Sequence, residues 1–482
     1  MHETASRNGA AGDPELLRRL GVASAASGPG PPAAPERGRA GLAERYRNFR
    51  AQLTSPLFRN GYALMLNTGA TGLLGLVYWL LAARYYPAVD VGRASAAYAA
   101  MNFVSGFAAA NIVGAITRFV PQSGHRTAAF VLRAYLLSSV ASVAVAFVFL
   151  LSISHWGPSY AELRGMIPAV CFMACVVAWG IFTLQDGVLI GLRSAVWVPI
   201  ENGTFGVVKI VLLLAFAAAL PSLGIGISWM LPVILSLPLV NLLIFGKLIP
   251  HHRVSVGDRR PPTARQIGRF LAGDYTGALC VLAISNLIPI AVAIRVGPRL
   301  NAYFYMAWTI GGMLFLLAMS MSRSLTVEGA FDSETLAADC RSALRHTMLL
   351  LVPVVAAAAL LAPTALGLFG PGYARYGVPI LQVLAIATLP KTLTETYLGA
   401  LRAQSRAKLI AVIQIVRCVL MLGLALALTE TMGMVGAGVA VLVSESVIAL
   451  TIAPGLRRIV SAAGRTAVNL RSMTWTKDWL IW

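Results

Sequence analysis

Twelve stretches of this 482-residue chain are apolar over the roughly 17 to 25 residues a helix needs to cross a bilayer, and nothing else in the sequence constrains the fold so tightly. They cover residues 61–83, 91–116, 128–152, 167–191, 196–220, 225–245, 271–294, 300–321, 347–368, 379–401, 409–428 and 435–454. Hydrocarbon offers no partner to a backbone N–H or C=O, so stretches of this length read as helices, and the expected fold class is an all-α polytopic membrane protein. Composition agrees: 57% of the residues are hydrophobic and 12% are charged, about half the charged share of a soluble domain.

The 39 Lys plus Arg against 19 Asp plus Glu are not scattered. With the amino terminus inside, about 30 of the basic residues fall in the two tails and the even-numbered connections, and about 6 in the odd-numbered ones. Arg45, Arg47, Arg50 and Arg59 precede the first span, Arg253, Arg259, Arg260 and Arg265 lie between the sixth and seventh, and Arg457, Arg458, Arg465 and Arg471 follow the last. This asymmetry predicts both termini in the cytoplasm. It also makes anionic membrane lipids, rather than nucleic acid, the partner of the +20 charge. Residues 1–55 carry no apolar core of a cleavable signal and read as a disordered basic cytoplasmic tail. Within that tail, 41–57 alternates Arg with Tyr46, Phe49 and Leu53, which suits either an interfacial helix or an ordinary basic flank. Cys171, Cys175, Cys280, Cys340 and Cys418 fall in spans or a cytoplasmic loop and suggest packing, not disulfides or metal.

An internal repeat organises the rest. Thr183 to Arg193 in the fourth span and Thr392 to Arg402 in the tenth share an acidic residue, Asp186 or Glu395, and a closing Leu-Arg, at a spacing of about 209 residues. Ala97-Tyr98, Met101 and Gly106 recur as Ala302-Tyr303, Met306 and Gly311, and Lys209 in the fifth span nearly coincides with Arg417 in the eleventh. The expected organisation is therefore a tail (1–55), an amino-terminal six-helix lobe (56–250), a cytoplasmic linker (251–270), a carboxyl-terminal six-helix lobe (271–460) and a second basic tail (461–482). The two lobes should be pseudo-symmetric, with a substrate path at their seam.

Residues 67–84 leading into Val91-Gly92-Arg93-Ala94, the segment Gln185 to Arg193, and Leu368-Phe-Gly-Pro-Gly-Tyr373 leading into Pro379-Ile-Leu381 resemble the polysaccharide-transport branch of the multidrug/oligosaccharidyl-lipid/polysaccharide exporter superfamily, over about residues 55 to 460. The resemblance implies two six-helix lobes, a place in the bacterial cytoplasmic membrane, and a lipid-linked glycan on undecaprenyl diphosphate as cargo. It carries over no catalytic signature.

Ionisable groups within hydrocarbon cost several kcal/mol and usually face a cavity or a partner, so they are the first site candidates. Lys391 and Glu395, four residues apart, face a cavity or pair with each other. Lys209 and Arg417, each near mid-span, either hold a diphosphate headgroup or form ion pairs with Glu201 or Glu445. Asp274, Asn67 and Asn286 in the seventh and first spans suit sugar hydrogen bonds, a coupling cation or a proton, or simple helix-to-helix bonding. Arg84, Arg93, Arg295 and Arg299, against the positive-inside trend, suggest a cationic outer mouth. No phosphate-binding loop, H-E-x-x-H or G-x-S-x-G is present, no resident cofactor is implied, and the outer connections are short. His155 and Glu162 in the longest of them form the one acid/base pair open to an enzyme reading. The expected function is a flippase working by alternating access. The alternatives are a cation-coupled multidrug exporter and a membrane glycosyltransferase or polymerase.

Overall fold

A computed structural model describes residues 56–109, 112–220, 222–256, 263–331, 336–404 and 406–461. The expected tails, with the interfacial segment 41–55, and residues 257–262 of the expected linker lie outside the described residues. Contacts divide the chain into Met1–Phe58, of which only the first turn of the opening helix is described, and Arg59–Trp482, which carries everything below.

The described elements are helical throughout. They are α1 (Pro56–Tyr85), α2 (Ala88–Ala109), α3 (Ile112–Phe119), α4 (Thr127–Leu151), α5 (Met166–Gly191), α6 (Trp197–Ala219), α7 (Gly224–Leu243), α8 (Ile249–Val256), α9 (Ala264–Phe331), α10 (Leu336–Gly367), α11 (Pro371–Ala403), α12 (Ala407–Met432) and α13 (Met434–Ser461). Ten of the helical runs are long and apolar enough to cross a bilayer singly. Two departures from one helix per span bring the reading to twelve. Ala88–Ala109 and Ile112–Gln122 are two pieces of one span bent by 47°. In the other direction, Tyr275–Leu316 runs 42 residues, twice what a bilayer needs, and breaks at Gly297, whose φ of 76° only glycine adopts without strain. Pro298 follows and starts the second arm, so the seventh and eighth expected spans are joined by a turn rather than a loop.

Burial is inverted relative to a soluble protein. Leu132, Leu136, Val140, Val143 and Phe147 recur at helical spacing on α4 and are all exposed, the stripe that hydrocarbon chains would cover. The interior is instead small or aromatic. The largest cluster joins Val91, Ala96, Ala99, Ala100 and Val104 of α2 to Ile288, Val292, Ala293, Ala302 and Phe304 of α9, and so runs across the boundary between the two halves. Small residues matter there because helix association in lipid relies on close backbone approach rather than on expelling water.

Candidate functional site: two buried charge centres and an outer seam

In the carboxyl-terminal half, α11, α12 and α13 bring four ionised side chains together. Arg417 donates from Nη1 to Glu395 (3.1 Å) and to the side-chain oxygen of Gln414 (3.3 Å), and from Nε and Nη2 to one oxygen of Glu445 (3.0 and 2.5 Å). Lys391 reaches the same Glu445 oxygen at 3.5 Å and lies 4.7 Å from the Phe315 ring centroid. Arg417 is 2% exposed and Glu445 0%, so the network is dry. Two cations face two carboxylates, which is what makes burial tolerable. Of the readings open for Arg417, the ion pair with Glu445 is the one present. Lys391 turns across to α13 instead of simply pairing along its own helix.

Lys209, the corresponding cation of the other half, is 4% exposed and meets a different environment. Its ammonium sits 3.8 Å from the Trp229 ring centroid, 4.7 Å from Phe205 and 4.9 Å from Tyr78. Cation–π attraction is worth about 2 kcal/mol when desolvated, less than burying an unpaired charge costs. Among the described residues it has no carboxylate partner. Glu201, two turns away on α6, does not supply one: both its oxygens are buried and accept no hydrogen bond among the described residues. Asp186 of α5 is held by the Asn202 amide at 3.1 and 3.2 Å. Lys209 and Arg417 lie in different halves and share no partner.

The halves are sewn together where α2 meets the break in α9. Asn301 donates from its side-chain amide to the carbonyl of Gly92 (2.9 Å) and to Ser95 Oγ (3.1 Å). A Cβ placed on Gly92 would stand 1.6 Å from the Pro298 carbonyl oxygen, so only glycine permits this approach. Ser159 donates to the carbonyl of Ala293 at 2.6 Å, and Tyr160 to that of Ala96 at 3.3 Å; burial pushes the Tyr160 phenol above its usual range and keeps it a donor. Deeper in, Trp79 and Tyr305 pack edge to face across the seam with centroids 5.2 Å apart. Of the four arginines expected at the outer mouth, Arg84 alone bridges the halves among the described residues. Arg84 donates to the Leu368 carbonyl at 2.5 Å, linking the halves, Arg93 pairs with Glu162 at 2.6 Å, Arg295 pairs with Glu430, and Arg299 is exposed. With Glu162 on Arg93 and the His155 ring on Ser154 Oγ at 3.1 Å, the two are not brought into a pair.

Asn286 donates to the Leu282 carbonyl of its own helix (3.0 Å), Asn67 is half-buried with a side-chain oxygen unpaired among the described residues, and the side chain of Asp274 lies outside them. Sequence reasoning passed over Gln414, Trp229 and Asn301. Asn301 lies three residues beyond the Gly297-Pro298 break, and that polar residue at the opening of an apolar span is the one signal that pointed to the seam. All five cysteines are free thiols, and no cluster of metal-ligating residues occurs among the described residues.

No protein-family model matches the sequence, and no curated protein matches it either. Solved structures do. An inward-facing multidrug resistance MATE family transporter of the MOP superfamily superposes with a TM-score of 0.64 at 15% identity, covering 83% of this chain and 96% of its own. An outward-facing MATE family transporter of the same superfamily gives 0.54 at 15% identity over 85% and 96%. The lipid II flippase MurJ, in an inward closed conformation, gives 0.62 at 13% identity over 83% and 90%. The described residues of the chain are all-helical and share the fold of these MATE family transporters and of MurJ.

Proposed function

We propose that this protein is a flippase that moves an anionic lipid-linked oligosaccharide or polysaccharide precursor, of the undecaprenyl diphosphate type, across the bacterial cytoplasmic membrane by alternating access. The observation that carries the reading is Lys209, a buried ammonium in an aromatic enclosure with no carboxylate among the described residues. A diphosphate arriving in the membrane interior supplies the counter-charge that the protein withholds. The sealed outer seam supports loading from the cytoplasmic side, and the inward-facing relative superposes better than the outward-facing one. Arg417 is neutralised within its own half and is assigned a structural part. Nothing in the cycle requires a covalent step.

In proteoliposomes carrying a fluorescent undecaprenyl-diphosphate-linked sugar, Lys209→Gln should insert at normal abundance and flip the lipid about tenfold or more slowly, the consequence of losing one charge-assisted contact of roughly 1.5–3 kcal/mol. Flipping at the original rate would refute the headgroup role.

A second reading rests on Glu201 and Asp186. A buried carboxylate without a donor is costly unless a proton or a cation accompanies it, and a cation-coupled drug exporter needs such a group. Efflux of an organic cation by the same proteoliposomes, unaffected by Lys209→Gln, would favour that reading over the flippase. For orientation, reporter fusions after residue 250 and after residue 482 should both report the cytoplasm, as the basic-residue asymmetry requires. An external signal from either one contradicts the proposed loading side.

A further inference from the structure

On the outside of the bundle, at the end where Arg402, Arg406, Lys408, Arg457 and Arg458 gather, α11, α12 and α13 enclose a groove of about 890 Å³. Its walls are apolar and branched, with Ile413, Ile448 and Ile452 behind and the exposed Val412 and Val416 along the side that faces hydrocarbon. Gly455 shapes one wall, since a Cβ there would stand 2.7 Å from the Tyr397 hydroxyl. Tyr397 is 5% exposed, lines the groove, and its hydroxyl makes no hydrogen bond among the described residues. That hydroxyl is not sealed inside the protein but opens on the groove, which therefore offers an accessible, unused donor.

The mouth of the groove is cationic. Arg406 and Lys408 line it, and α12 begins between them without a side-chain cap. The first backbone bond of α12 runs from Ile410 N–H to the Arg406 carbonyl, which leaves the N–H groups of Ala407, Lys408 and Leu409 at the helix end. Two basic side chains, an uncapped helix amino terminus and an apolar channel leading away from them match one kind of molecule: an anion with a hydrocarbon tail.

We propose that this groove binds one anionic glycerophospholipid of the leaflet on the basic side, with its phosphate at Arg406, Lys408 and the first turn of α12. An acyl chain lies against Ile413 and Ile452, and Tyr397 donates to an ester oxygen. A lipid bound here ties α11 to α12 and α13 beside the buried ion network without entering the transport path, so the site stands whichever cargo the protein carries. The occupant is a lipid rather than a peptide because the groove faces the bilayer along its length, where lipid is the solvent.

The test is native mass spectrometry of the full-length protein released from nanodiscs of phosphatidylcholine containing phosphatidylglycerol. One phosphatidylglycerol should be retained about tenfold over phosphatidylcholine, and Arg406→Gln/Lys408→Gln should abolish the preference. Val416→Trp, which fills the groove and leaves the charges, should lower retention of both lipids. Arg457→Gln, an exposed cation on the same membrane side that does not line the groove, should leave the preference in place. Equal loss with Arg457→Gln would mean a general surface attraction and overturns the site. So would displacement by soluble glycerol phosphate, which would show that the tail contributes nothing. So would retention that appears only after truncation at residue 461, since the carboxyl-terminal tail would then be the occupant.

Discussion

Arg417→Gln should remove most of the protein from the membrane. The substitution leaves Glu395 and Glu445 buried with only Lys391 between them, one carboxylate in excess in a dry site. Breaking a buried pair by deleting one partner costs about 3–5 kcal/mol, comparable with the whole stability margin of many proteins. The measurements are membrane abundance and the midpoint of thermal unfolding in detergent. Arg417→Lys should do better than Gln and worse than the original, because an ammonium restores the charge but not the fork that binds both carboxylates. The sharper check is Arg417→Met with Glu445→Met. That double change removes one charge of each sign and leaves Lys391 and Glu395, so it should recover stability relative to Arg417→Gln. Normal abundance of Arg417→Gln would mean the network carries no structural weight and would reopen a substrate role for the arginine.

The contrast between Arg417 and Lys209 marks where sequence reading stops. The spans were legible because hydrocarbon thickness sets a length and backbone hydrogen bonding sets a helix, and both constraints act on any stretch of apolar residues regardless of its neighbours. The repeat was read from Asp186 and Glu395, and each of these carboxylates bonds to the helix that follows its own. What the repeat could not convey is partnership. Glu395 meets an arginine on the next helix while Asp186 meets an amide, and Glu445, on a third helix 28 residues from Arg417, completes one centre only. Partners so far apart are fixed by packing, which no periodicity encodes. The joint at Gly297 falls within the expected connection at 295–299, but its tightness was not legible. Gly-Pro reads as a loop, yet a glycine with positive φ followed by a proline at the start of a helix is enough to turn a chain within one residue. Likewise the outer arginines were read as a group by their distance from the positive-inside trend. In the structure Arg84, Arg93 and Arg295 each have a separate partner, and only that of Arg84 lies in the other half.

That seam yields the second large effect. Gly92→Val should leave this side of the protein unable to close. The Pro298 carbonyl oxygen lies 1.6 Å from where any Cβ would be; that oxygen is backbone and a Cβ is fixed by the backbone that carries it, so no rotamer relieves the clash. The two helices must separate by more than an ångström. The hydrogen bonds from Asn301 to the Gly92 carbonyl and Ser95 Oγ are then lost as well. If the halves rock about this contact, the population moves to the outward-open state, and a transporter that visits only one state turns over nothing. The expected result is a protein present in the membrane, inactive in flipping, and with a longer distance between spin labels at Arg93 and Arg299 than the original shows. Asn301→Ala separates a gate from a merely misfolded variant. It removes two bonds worth about 1 kcal/mol each without introducing a clash, so the open-to-closed ratio should shift by roughly tenfold or more and the label distances should show both states. If both variants keep the original distances and rates, the contact of α2 with α9 is permanent packing, and the alternation must take place along another surface of the bundle.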